Sequence, residues 1–129
     1  MDKKVVEAGS LKIGGYVIVD NYACTVKSID ISKPGKHGST KCRIEAMGMI
    51  DNQKRVFIMP AHDKVEVPII EKKNAQVLSI HDDIANVMDL ESYETFDLKI
   101  PEDLSGKITE GVQVIYWNIL NDKLLKQLK

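Results

Sequence analysis

Aromatic side chains are scarce in this chain: one Trp, two Phe and four Tyr, 5% of 129 residues. A core built from it must rest on Val, Ile, Leu and Met, and the scarcity counts against a surface that stacks many bases on rings. Cysteine is nearly absent too. Cys24 and Cys42 fit no close-spaced metal or redox motif and read as reduced small hydrophobes of a cytosolic protein, a disulfide between them being the less favoured alternative. No apolar run approaches the ~18 residues that span a bilayer, and Met1-Asp2-Lys3-Lys4-Val5 lacks the apolar stretch of a signal peptide. The three histidines, His37, His62 and His81, do not fall within the two-to-five-residue spacing that structural zinc sites favour, so no metal is expected. There is no Gly-x-Ser-x-Gly motif, and Asp63, Glu66 and Glu71 show no spacing of paired carboxylates. His81-Asp82-Asp83 reads as a turn. Nothing in these patterns nominates a catalytic residue or argues positively for an enzyme.

What is present is an ordinary globular composition, 43% hydrophobic and 29% charged. The net charge of −1 is unevenly spread: residues 1–68 carry +3 and residues 69–129 carry −4. Such asymmetry suggests two units, the basic one facing an anionic partner. The densest positive charge lies from Lys27 to Arg43, where Lys27, Lys33, Lys36, Lys41 and Arg43 face a single acid, Asp30. Within it runs Ser32-Lys33-Pro34-Gly35-Lys36-His37-Gly38-Ser39-Thr40-Lys41. Pro34-Gly35 suits the centre of a type II turn, because proline presets φ and glycine accepts the positive φ that follows. Lys36 then leaves the turn with His37 beside it and no carboxylate in the loop. A positive loop tip suits phosphate, whereas a solvated hairpin tip is the plainer alternative. The common phosphate-binding loop is rejected, because Asp30 and His37 stand where it needs a glycine and a Ser or Thr.

Along the chain, residues 1–10 read as a loose leader. Strands are expected at Tyr16–Val19, at Ala23–Ile31 with a bulge where Val26 falls out of phase with Ile29 and Ile31, at Lys41–Ile50 with a second phase shift, at Arg55–Met59, and through Val65 and Val67. Five short strands without a helix suggest a small barrel. The polar segment Pro68–Asn74 marks the boundary, giving domains 1–68 and 69–129. The second begins with strands Gln76–Ile80 and Ile84–Leu90, then the alternating Phe96, Leu98 and Ile100. One helical turn is expected at Pro101–Gly106 and a strand at Val112–Leu120. The tail after Leu120 has helical spacing, although a final strand fits equally. Five strands and a short helix are what an OB-type barrel requires.

Three stretches, in this order, resemble the translation initiation factor 5A family in its archaeal form. They are Ser32–Lys41 around Gly35-Lys36-His37-Gly38, the run Lys64-Val65-Glu66-Val67-Pro68-Ile69-Ile70, and Met88-Asp89-Leu90-Glu91-Ser92-Tyr93-Glu94-Thr95-Phe96. The resemblance covers nearly the whole chain. It implies an all-β protein, an N-terminal SH3-like barrel carrying the hypusine loop and a C-terminal OB-fold. It also implies that Lys36 receives an aminobutyl group from spermidine through deoxyhypusine synthase, giving deoxyhypusine or hypusine. The NAD of that reaction belongs to the modifying enzyme, and no cofactor is implied for this chain. The implied partners are the ribosome, meaning its rRNA and the P-site tRNA, in the cytoplasm, with no membrane. The modified lysine would promote peptide-bond formation on stalled complexes, notably at runs of proline, and assist termination. Ser32, Lys33, Pro34, Gly35, His37 and Gly38 would form the modification loop, and Lys33, Lys36, His37 and Lys41 would contact RNA. The rival readings are a general single-stranded RNA-binding OB-fold protein and a small hydrolase using a carboxylate or His62.

Overall fold

In the computed structural model, residues 3–33, 38 and 40–129 are described, and the chain divides into two compact units, Met1–Ile69 and Ile70–Lys129. Both are all-β. The first contains β1 (Lys3–Glu7), a 3-10 turn (Ala8–Ser10), β2 (Tyr16–Val19), β3 (Tyr22–Ser32), β4 (Lys41–Gly48), β5 (Lys54–Pro60) and β6 (Lys64–Pro68). The second contains β7 (Ile70–His81), β8 (Ile84–Asp89), β9 (Thr95–Lys99), a 3-10 turn (Glu102–Leu104), β10 (Gln113–Ile119) and β11 (Asp122–Leu128).

The first unit is an SH3-like arrangement: an antiparallel sheet in the order β2-β3-β4-β5, plus a β1–β6 ribbon that runs beside β2. Its core is Val17, Cys24, Val26, Cys42, Ile44 and Ala46, all essentially buried. Both cysteines are free and lie inside this core. Burial pushes the Cys24 thiol above its ordinary range, opposed by the nearby Arg55 guanidinium. The two-residue turn Asp20-Asn21 has positive φ at both positions, the twist that hairpin turns favour.

The second unit is an OB-type curled sheet in the order β11-β10-β7-β8-β9. Its edge strands β9 and β11 approach each other, and Lys123 on β11 lies 5.3 Å from the centre of the Phe96 ring on β9. Ala75, Val77, Ala85, Val87, Leu98, Leu104, Ile108, Val114, Tyr116 and Leu125 fill the interior. Leu104, delivered by the 3-10 turn, is part of it.

Several expectations change. The supposed leader is β1, which pairs residue for residue with β6 from Lys3↔Pro68 to Glu7↔Lys64, and Ala8 is buried behind it. Its partner lies some sixty positions downstream, so local pattern could not reveal it. The division between the units falls within Pro68–Asn74, but the next strand starts earlier than the expected Gln76: Glu71–Asn74 already belong to β7, paired with β10 from Ile119↔Ile70 to Gln113↔Gln76. Lys72 and Asn74 there are exposed, which hid the strand. Of the two readings left open for the tail, the strand is the one present, as β11. The bulge expected in β3 is present, at a register shift between Val26 and Ser28. The shift expected in β4 is not: Cys42, Ile44, Ala46 and Gly48 alternate inward without interruption to the strand's end.

Candidate functional site

Strands β3 and β4 form a long hairpin, paired from Cys24↔Gly48 to Ser32↔Lys41. The inward row begins with buried Val26, Ala46 and Ile44, continues through half-buried Ile29, and ends at Ile31, which is 59% exposed. On β4 the core still reaches Cys42, opposite Ile31, whereas β3 is exposed from Asp30 to Ser32 and leaves the core first. The hairpin's far end is braced from one side: Lys41 pairs with Pro60, and the Ala61 N–H donates to the Thr40 carbonyl at 2.8 Å. Ala61 is held in turn by the Gly9 N–H, 2.8 Å from its carbonyl oxygen. A Cβ at Gly9 would sit 3.1 Å from that oxygen and 3.2 Å from the Ala61 methyl, so glycine permits the approach.

The electrostatics separate two kinds of cation. Arg43 is engaged, with its Nη1 3.4 Å from Glu45 and 3.7 Å from Asp30. Glu45 also accepts a 2.8 Å hydrogen bond from the Ser28 hydroxyl and lies 3.0 Å from the Lys54 ammonium. These contacts, the Ser28 bond foremost, hold its carboxyl below the ordinary range. Lys27, at the bulge, and Lys33 and Lys41, at the far end, are exposed. None of the three has an acidic partner among the described residues. The acids of the hairpin thus neutralise Arg43 and Lys54 on the strands, and the charge left over belongs to Lys27 at the bulge and to Lys33 and Lys41 at the far end.

Of the residues expected to form the modification loop, Ser32, Lys33 and Gly38 are described and exposed. Pro34, Gly35, Lys36 and His37 lie outside the described residues. The structure brings Ser32 and Lys41 opposite each other, with Lys33 next along the chain from Ser32. Sequence reasoning missed the Arg43–Glu45–Ser28 cluster and the brace at Ala61, because both depend on cross-strand register. His62 and His81 are exposed, each near its neighbouring aspartate, at 3.8 Å and 3.5 Å. Asp82 has φ +55°, as the expected turn requires. No cluster of metal-binding side chains occurs among the described residues. No described helix is long and apolar enough to cross a membrane.

The stretch Met88–Phe96 contains a buried polar anchor. Asp89, only 2% exposed, accepts the Tyr116 hydroxyl on one oxygen and the Glu91 and Ser92 N–H groups, each at 2.8 Å, on the other. Burial alone would raise its carboxyl, but the Tyr116, Ser92 and Glu91 donors outweigh it and bring it down to about 2. The Tyr116 hydroxyl is pushed well above its usual range by burial and by the adjacent carboxylate.

Fold and hairpin together define a class: two small β units in series, the first carrying a long hairpin with a basic, acid-free end. Comparison with known proteins narrows it. Residues 2–63 match the family model "Translation initiation factor 5A-like, N-terminal", and residues 69–129 match "Eukaryotic elongation factor 5A hypusine, DNA-binding OB fold". The chain is 50% identical to translation initiation factor 5A of Methanothermobacter thermautotrophicus over 129 residues, covering 100% of this chain and 99% of that one. It is 45% identical to the Archaeoglobus fulgidus factor over 126 residues, 98% of each. The solved structure of the factor from Methanococcus jannaschii superposes with a TM-score of 0.92 at 40% identity, covering 99% of this chain and 96% of that one. A family member from Naegleria fowleri gives 0.78 at 27% identity, covering 100% and 99%. The chain belongs to the translation initiation factor 5A family, and is by that membership a translation factor.

Proposed function

We propose that this chain binds the ribosome beside the P-site tRNA and promotes peptide-bond formation on stalled complexes through Lys36, lengthened to deoxyhypusine or hypusine. The observation that carries the reading is the hairpin end, where β3 is exposed from Asp30 to Ser32 and no acid stands between Ile31 and Cys42. An aminobutyl extension keeps the lysine's positive charge and adds a second amine. Such an arm reaches phosphates and sugars in an RNA cavity too narrow for a folded domain. Its action is positional: holding the tRNA end in a reactive geometry lowers the barrier without any bond to the protein being made. Lys33, His37 and Lys41 support it as RNA contacts, and deoxyhypusine synthase, acting in the cytoplasm, is the modifying partner.

The test is a reconstituted translation reaction from a related archaeon, programmed with a message encoding a run of prolines. Modified protein is expected to relieve the stall, and Lys36→Arg is expected to leave peptide-bond formation slower by about tenfold or more, as loss of a positioning group does. The variant's melting temperature should match the parent's, because the core of its unit is complete without Lys36. Equal stall relief by parent and variant would overturn the proposal.

A further inference from the structure

The −4 charge of residues 69–129 conceals a sharp division. Strands β7, β10 and β11 with Lys129 carry five lysines against two acids, a net +3, whereas residues 82–112 carry two lysines against nine acids, a net −7. The chain's single Trp lies on these strands, and of their lysines Lys72 and Lys126 gather at its ring, whereas Lys73 pairs with core-facing Tyr116 and Lys123 lies over Phe96. Trp117 on β10 pairs across to Lys72 on β7 and Leu124 on β11. The Lys72 ammonium sits 5.0 Å from the centre of a Trp117 ring and the Lys126 ammonium 4.5 Å. Both are cation–π distances.

A strand defect makes this arrangement. Along β11 the register slips, so that Tyr116 pairs with Leu125 and Ile115 with Gln127. Lys126 is the extra residue. Leu125 and Leu128 keep their places against the core, while Lys126 turns to the Trp117 side. Bulges commonly re-aim a side chain in this way. Ile115, Asn74 and Gln127 continue the same face by register. That gives a ring, two ammonium groups and amides on one surface.

The face on which OB-folds ordinarily hold oligonucleotides, strands two and three of the barrel, is here β8 and β9. It offers nothing comparable. Phe96 points into the core against Tyr116, at 5.0 Å between ring centres. The outward row includes Asn86 bonded to Asp97 at 2.9 Å. Tyr93, in the loop that follows β8, is 70% exposed but flanked by Glu91 and Glu94.

We infer that the outer face of β7, β10 and β11 is a contact surface for single-stranded RNA, with a base stacked on Trp117 and Lys72 and Lys126 swung onto the neighbouring phosphates. The ring accepts any base, since every base has a π-face, so the contact is sequence-tolerant. The lysines are suited to both states: they cap the ring in the free protein and are long enough to release it. This surface is independent of Lys36 and its modification.

Unmodified full-length protein tests it with a fluorescein-labelled oligouridylate of about 12 nucleotides, the span of an OB surface. Binding by anisotropy should be accompanied by quenching of the fluorescence of Trp117, the sole tryptophan. Lys72→Gln with Lys126→Gln should weaken binding about tenfold and reduce the log–log salt slope by about 1.4, or about 0.7 for each phosphate no longer neutralised. Trp117→Phe should bind within about threefold of the parent, and Trp117→Ala about tenfold more weakly, because a ring preserves the stack. Lys107→Gln, within the acidic stretch of the same unit, should bind as the parent does. Should Trp117→Ala fail to fold, the lysine pair and the quenching signal decide the matter alone. Binding without quenching, binding indifferent to the lysine pair, or displacement of the RNA by polyglutamate of equal length would each overturn the assignment.

Discussion

At the residue scale, Asp89 is the most consequential side chain outside the hairpin. A carboxylate this deeply buried would be costly by itself, yet three donors converge on it, from the Tyr116 hydroxyl and the Glu91 and Ser92 N–H groups. It ties the β8–β9 loop to β10. Asp89→Ala should lower the unfolding free energy by about 2–3 kcal/mol, because the Tyr116 hydroxyl is left buried without its partner. The sign with pH follows from a folded pKa of about 2 against an unfolded value near 4. The carboxylate's contribution is full above the unfolded value and is lost as pH falls through about 2. Urea unfolding of parent and variant should therefore show the larger gap at about pH 7 and a much smaller one at about pH 2. A gap that does not change with pH would mean that the carboxylate's charge is irrelevant. Of this anchor the sequence revealed only that Asp89 lies in a conspicuous stretch. The Tyr116 partner, 27 positions away, is fixed by strand register that no local pattern records.

At the element scale, the β4–β5 turn shows how tightly a neighbouring hairpin is set. Arg55 clasps Asp51 through two hydrogen bonds, 2.7 Å and 3.1 Å, and its guanidinium lies 4.2 Å from the centre of the Tyr22 ring. A Cβ on Gly48 would collide with the Asp51 carboxylate and press on Arg55. Gly48→Ala should cost about 1–3 kcal/mol by forcing this pair aside, read as a lower melting temperature. An unchanged melting temperature would show that the turn yields freely. The strands that could be read from sequence were those whose alternation matches one buried face, such as β9 with Leu98 inward and Thr95 and Lys99 outward. The β3 bulge was readable for the same reason, since Val26 and Ile29 cannot share a face unless one residue is extra. β1 and the start of β7 were not, because their stability comes from distant partners and their exposed side chains mimic a linker.

At the scale of the whole molecule, each unit closes its own core, and each sorts its charge. In the first, acids neutralise the strand cations and leave the lysines at the hairpin end. In the second, four of the seven lysines lie on β7 and β11, while nine of the eleven acids lie between β7 and β10 in sequence. Whole-chain net charge, −1, conveys neither fact. The stretch Ser32–Lys41 was conspicuous from its Pro-Gly pair and its lack of acids, so the candidate site was readable before its supports were. The central claim concerns the lysine at its middle. Intact-mass and fragment spectra of the protein purified from its own source test it most directly, with bacterially produced chain as the unmodified reference. The account predicts one added aminobutyl or hydroxyaminobutyl group, located on Lys36. An unmodified mass, or an addition on Lys33 or Lys41 instead, would contradict it.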